Sequence, residues 1–284
     1  MITLDALNTA TPEHFTATLS GVFEHAPWVA AAIAPARPFA TVTALHEAMF
    51  ATVLAAPPDQ VTTFLRGHPE LAGSAALSGT LTRESTAEQA SLNLDRGAED
   101  IAALNTAYAA RFGFPFITCV RRHTRASLLS EFRRRVTLDP ATEHATALQE
   151  IFYITRLRLA VLVEGPGMPA VNGSLTTHVL DTSIGRPGKG ILVELREAGI
   201  PTLLASGRTN ADGRTVAPLL HGAPLRIGQY ELLFHVGAYF AGQATERPAF
   251  LDIVPVHFGI SEPETHYHVP LLVSPGAYST YRGS

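Results

Sequence analysis

Hydrophobic spacing changes character once along this chain. In the first half, apolar residues recur at helical intervals. Phe15, Leu19, Val22 and Phe23 fall on one helical face, behind Thr11-Pro12-Glu13, which supplies an N-cap and a first-turn proline. Val61, Phe64 and Leu65 form a shorter stripe stopped by Gly67. Ile101, Leu104, Asn105, Tyr108 and Phe112 form a third, closed by Gly113 and Pro115. Leu128, Leu129, Phe132 and Val136 form a fourth, and the segment from Thr142 to about Leu159 predicts a long last helix. No convincing alternation occurs in this half. Beyond Ala160 the run Val161–Ser174, with Gly165-Pro166-Gly167, Pro169 and Asn172-Gly173, reads as a linker. The period then becomes two: Leu175, Thr177 and Val179 alternate with Thr176, His178 and Leu180. Tyr230 to Val236 and Tyr267 to Val273 behave likewise, with turn signals at Gly185, Asp212-Gly213 and Ser274-Pro275-Gly276.

The expected fold class is therefore multidomain α and β: an all-α domain over 1–160, a linker over 161–173 and an antiparallel β-sandwich over 174–284. The chain has 284 residues, enough for two cores, with 46% hydrophobic and 16% charged residues. A net charge of -4 gives no electrostatic case for nucleic acid or an anionic membrane. Cys119, the single cysteine, cannot form an intrachain disulfide and sits in the apolar run Phe116–Val120 as expected buried filler. Neither a signal peptide, a membrane span nor a peroxisomal ending is legible, so a cytoplasmic protein is expected.

Four pieces of the second half occur in order: Leu175-Thr176-Thr177-His178-Val179-Leu180-Asp181, Thr209-Asn210-Ala211-Asp212-Gly213-Arg214, His266-Tyr267-His268-Val269-Pro270-Leu271-Leu272, and the terminal Tyr281-Arg282-Gly283-Ser284. Together they resemble 5-hydroxyisourate hydrolase, the transthyretin-related enzyme. The resemblance implies a transthyretin-like sandwich in which His178, Arg214, His268 and Ser284 carry hydrolysis and Tyr281 helps bind substrate. It also implies a homotetramer built through this domain, with pairing of the other domains as a further option. The residue types suit the reaction. A neutral imidazole takes a proton from water near pH 7, and a guanidinium holds an oxyanion or a urate-like anion. Other readings of the same residues stand beside it. Arg214 after Asp-Gly is also an ordinary hairpin residue. His266 and His268 share a strand face and, with His178, make a three-histidine set for zinc. A transthyretin-like carrier of a small ligand is the non-enzymatic alternative.

In the first half, Gly21–Ala30, His68-Pro69-Glu70-Leu71-Ala72-Gly73, Leu81–Gln89, Leu104–Tyr108 and Phe112-Gly113-Phe114-Pro115-Phe116-Ile117 resemble 2-oxo-4-hydroxy-4-carboxy-5-ureidoimidazoline (OHCU) decarboxylase. The resemblance implies catalysis by His68 and Glu88, with Pro69, Gln89, Ile117 and Arg121 binding substrate. His68 follows a helix-ending glycine and precedes proline, which fixes it in extended geometry at a corner. Ser85-Thr86-Ala87-Glu88 also reads as a capping box. Arg133-Arg134-Arg135 reads as a solvated charged face. Taken together, the two resemblances imply urate breakdown: 5-hydroxyisourate is hydrolysed to OHCU, which is decarboxylated to (S)-allantoin. No cofactor and no metal are expected, and the partners are small-molecule substrates.

Overall fold

A computed structural model of the protein describes residues 1–72, 98–241 and 248–283. Glu88, Gln89 and Ser284 lie outside the described residues. The chain divides into two compact units, Met1–Val171 and Asn172–Ser284, each with its own hydrophobic core.

The first unit is helical. A short strand β1 (Ile2–Thr3) leads into α1 (Leu4–Thr9), α2 (Pro12–Leu19), α3 (Pro27–Ile33), α4 (Val42–Leu54), α5 (Pro58–Arg66), α6 (Ala98–Phe112), α7 (Arg125–Arg135) and α8 (Pro140–Leu162). The starts are written in the sequence. Thr3, Thr11, Thr41 and Thr124 each accept a backbone N–H three residues on. Asp139 caps α8 through the amides of Ala141 and Thr142, with Pro140 at the first helical position. Gly113 closes α6 at φ 75°, a conformation that costs glycine nothing.

Three expectations change here. Helix α2 ends at Leu19, so Val22 and Phe23 do not extend its stripe; both are nevertheless buried in the turn that follows. The absence of strands is not complete, because β1 pairs in parallel with β2 (Val163–Glu164). The start of the expected linker is also held to the helices: the amides of Val42 and Thr43, in the first turn of α4, donate to Pro166 and Gly167 carbonyls at 3.0 Å each. These are donors a helix leaves open at its N-terminus.

The largest correction concerns Arg135. The charge run is not a solvated face, because Arg135 is fully buried (0% exposed). Its Nε donates to both Glu143 oxygens at 3.0 and 3.1 Å, Nη1 donates to the Ile117 carbonyl at 2.9 Å, and the guanidinium lies over the Phe116 ring. Tyr108 donates to the same carboxylate. A buried charge is tolerated only with this degree of satisfaction. Arg133 and Arg134 do face solvent.

The second unit is a sandwich of β3 (Gly173–Thr176), β4 (Val179–Asp181), β5 (Arg186–Pro187), β6 (Leu192–Glu197), β7 (Leu203–Arg208), β8 (Leu220–Ala223), β9 (Gly228–His235), α9 (Val236–Phe240), β10 (Ile253–Ile260), β11 (His266–His268), β12 (Leu271–Ser274) and β13 (Ala277–Thr280). One layer runs β10-β9-β6-β7, all antiparallel. The facing layer is broken into β11-β3-β8 and β13-β12-β4-β5. Alternation predicts an unbroken strand through His178, while Pro270 predicts an edge or a local irregularity; the structure interrupts both segments at the same level. Pro270 has no N–H to give a ladder. Thr177 donates its hydroxyl to the Val269 carbonyl at 2.7 Å, and the chains rejoin through Leu271 N to His178 O at 2.8 Å.

Candidate active sites

The interruption in the sandwich puts two histidines against each other. His178 occupies the gap between β3 and β4, and His268 ends β11 opposite Thr176. Their rings stack at 4.9 Å and 18°, and His178 Nδ1 shares a hydrogen bond with His268 Nε2 at 2.7 Å. His268 Nδ1 is 2.8 Å from Thr176 Oγ1, which also reaches His266 Nε2 at 2.7 Å. Arg214 is set across from His178 by an antiparallel bridge. The Asn210 side chain accepts the amides of Asp212 and Arg214 at 2.9 and 3.1 Å, and Val179 N donates to Gly213 O at 2.9 Å. Gly213 is required there: its φ is 73°, and a Cβ would strike the Val179 carbonyl. Arg214, an ordinary hairpin residue by sequence, thus lies close enough to the histidine pair to act on both electrostatically.

Burial holds His268 well below the usual imidazole range, at about 4, with His178, Arg214 and His266 adding repulsion. His178 is lowered by burial and then by Arg214. Both rings are neutral near pH 7, the state that accepts a proton. The zinc reading loses its geometry, since both nitrogens of His268 are engaged in hydrogen bonds to Thr176 and His178. Among the described residues no group of three or more His, Cys, Asp or Glu is disposed to hold a metal ion. The tail returns to this site. Gly283 N donates to His268 O at 2.8 Å, while Tyr281 is exposed and the Arg282 guanidinium lies 4.7 Å from the Tyr267 ring centroid.

In the helical unit, His68 follows α5 and is half-buried. Its Nδ1 lies 3.0 Å from the Phe64 carbonyl, and its ring meets the Phe64 ring edge-on at 4.8 Å. A carbonyl only accepts, so the Nδ1 position carries the proton and Nε2 presents a lone pair. Burial pushes His68 down to about 4, with Glu24 opposing and Arg158 and His25 adding to the shift. Asn105 ties the following loop to α6 by donating to Leu71 O at 2.9 Å. Asn105 and Tyr108 are both buried and hydrogen-bonded, and Cys119 is buried, as its apolar run suggests.

Sequence reasoning missed Glu24 and Arg158. These two are 4% and 8% exposed, and Arg158 Nη1 donates to Glu24 Oε2 at 2.8 Å beside His68. A signal was present: Arg158 is a lone charge inside Leu157–Val161, and Glu24 lies within the Gly21–Ala30 piece. His25 adjoins them at φ 51°, an uncommon conformation for a residue with a Cβ. Pro69 lies beside His68 and is half-buried. Ile117 is buried and its carbonyl is taken by Arg135; Arg121 is half-buried, and no described hydrogen bond or ion pair links it to His68. The neighbouring Arg122 is the buried one, over the Tyr153 ring at 3.5 Å.

Comparison with known proteins gives each unit a family. The OHCU decarboxylase family matches residues 8–160, and the HIUase/Transthyretin family matches residues 175–283. The chain is 52% identical over 117 residues to 5-hydroxyisourate hydrolase 2 of Rhizobium meliloti (strain 1021), covering 40% of this chain and 98% of that protein. It is 54% identical over 119 residues to 5-hydroxyisourate hydrolase of Mesorhizobium japonicum, covering 40% of this chain and 95% of the relative. A crystal structure of (S)-allantoin synthase aligns over 100% of both chains, at 35% identity and a TM-score of 0.58. Each half therefore has its own lineage: the chain belongs to the OHCU decarboxylase family through its helical unit and to the HIUase/transthyretin family through its sandwich.

Proposed function

We infer that this chain is a bifunctional enzyme of urate catabolism, which hydrolyses 5-hydroxyisourate to OHCU and then decarboxylates OHCU to (S)-allantoin. The observation that carries the reading is that both families occur in one chain, aligned end to end with an (S)-allantoin synthase. The product of one reaction is the substrate of the other.

For hydrolysis, His178 is the base that takes a proton from the attacking water. His268 fixes its tautomer, and Arg214 holds the developing oxyanion. Ser284 and Tyr281, in the tail that Gly283 pins to His268, contact the substrate. For decarboxylation, loss of carbon dioxide leaves a carbanion that the ring delocalises. His68, neutral near pH 7 with a lone pair on Nε2, accepts a hydrogen bond from substrate and does not serve as a cationic acid. Glu88 hydrogen-bonds the ring or ureido group, Pro69, Gln89, Ile117 and Arg121 line the substrate, and Arg158 supplies positive charge for the carboxylate. The sandwich assembles as a homotetramer; exposed edge strands β10 and β13 offer unpaired ladder groups for it. No helix among the described residues is long and apolar enough to cross a membrane.

Freshly generated 5-hydroxyisourate, followed by circular dichroism, tests the assignment. Wild type should give (S)-allantoin rapidly, and His68→Ala should accumulate the optically active intermediate. Spontaneous decay at an unchanged rate in wild type would remove the hydrolase activity, and accumulation of the intermediate in wild type would remove the decarboxylase.

A further inference from the structure

Four groups on one face of the broken sheet form a continuous chain of hydrogen bonds. His178 Nδ1 to His268 Nε2 is 2.7 Å, His268 Nδ1 to Thr176 Oγ1 is 2.8 Å, and Thr176 Oγ1 to His266 Nε2 is 2.7 Å. The placement follows from strand geometry. Residues two apart share a face, so Thr176 sits beside His178, and His266 beside His268. The parallel register sets His268 opposite Thr176. His178 is half-buried, His268 is 7% exposed, and His266 is open to solvent.

We propose that Thr176 and His266 complete a proton relay that carries the proton of the attacking water from His178 through His268 to the protein surface. The proposal rests on the hydrolase reading of this site.

The donor and acceptor inventory permits one ordering that leaves His178 a base. A threonine hydroxyl has one proton, so between two ring nitrogens it donates to one and accepts from the other. If His178 Nδ1–H donates to His268 Nε2, then His268 carries its proton on Nδ1 and donates to Thr176. Thr176 donates to His266 Nε2, and His178 Nε2 is left with the lone pair that faces water. When water attacks, its oxygen bonds to the substrate carbonyl carbon and its proton passes to His178 Nε2. Each proton along the chain moves one place, so the positive charge emerges on His266. As the ring C–N bond breaks, the leaving nitrogen takes a proton and the chain shifts back, restoring the starting tautomers. The net change is addition of one water across that bond, with no other reactant.

The relay answers an electrostatic problem. A positive charge left on His268 would be desolvated and face Arg214, and burial already pushes that ring down to about 4. Transferred to exposed His266, the charge is solvated by water. A hydroxyl at position 176 is the requirement, because only a group that both donates and accepts joins the two rings.

The test compares Thr176→Val, Thr176→Ser and His266→Gln in the full chain, with decarboxylation of preformed OHCU as the control for folding. Thr176→Val is isosteric but cannot relay; it and His266→Gln should lower kcat for 5-hydroxyisourate about ten- to a hundredfold at little change in KM. Thr176→Ser should retain near wild-type kcat. In mixtures of light and heavy water, wild-type kcat should curve with deuterium fraction, as several protons in flight require, and Thr176→Val should give a straight line. Equal kcat and equal curvature in Thr176→Val would overturn the relay, as would a loss confined to KM or equal damage from Thr176→Ser. Wild type that turns over no 5-hydroxyisourate would instead overturn the hydrolase reading beneath it.

Discussion

Gly283→Ala is a sharp probe of the sandwich site. A Cβ at this position would stand 2.5 Å from His268 Cδ2 and 3.2 Å from its Cβ and Cγ, whereas ordinary contact begins near 3.4 Å. The two must therefore part by about 0.9 Å. The imidazole cannot yield freely, because both of its nitrogens are hydrogen-bonded, at 2.7 and 2.8 Å. Either the tail lifts, losing the Gly283 N to His268 O bond, or His268 turns and leaves His178. A displacement of about 1 Å in a catalytic array costs about a hundredfold in rate. Gly283→Ala should thus lower 5-hydroxyisourate turnover about a hundredfold while leaving decarboxylation of preformed OHCU within twofold of wild type. The assay is loss of substrate absorbance in stopped flow, with circular dichroism for the second step. Full hydrolase activity in the variant would refute the proposed contact, and a parallel loss of both activities would show that the damage is not local.

In the helical unit, Arg135→Ala leaves the Glu143 carboxylate buried without its guanidinium and should cost about 3–5 kcal/mol in urea unfolding. Arg135→Met combined with Glu143→Leu should cost less, since no uncompensated charge remains. Glu24→Gln removes the carboxylate that pairs with Arg158 and should lower OHCU decarboxylation at least tenfold without touching hydrolysis, as separate assays of the two steps would reveal. Acid should destabilise the same unit. His46 and His123 are buried and held down to about 4, mainly by burial, against 6.5 in the unfolded chain. The unfolded chain binds these protons first, so stability is full above pH 6.5 and falls as pH drops toward 4, by about 1.4 kcal/mol per pH unit for each histidine. Stability that is flat across this window in denaturant titrations would contradict that account.

Local rules carried much of this protein. Helix starts follow from Thr and Asp caps and first-turn prolines, and the change from a helical period to a period of two separates the units, because caps and faces are properties of a few neighbouring residues. His178, Arg214 and His268 were marked by resemblance to a family's motifs, since local pattern alone reads Arg214 as a hairpin residue; strand alternation did put His266 and His268 on one face. Tertiary structure decided what depends on residues far apart in sequence. Alternation along His178 or Pro270 cannot reveal that both strands break at one level, since the break is made by bonds between segments about 90 residues apart. Arg135 looked solvated because its compensation by Glu143, Tyr108 and the Ile117 carbonyl comes from three other segments. Glu24 and Arg158 meet across a separation of 134 residues. Sequence thus determined which groups the protein owns and which face each takes; only the fold decided which of them share a low-dielectric site, where pairing fixes charge and proton position.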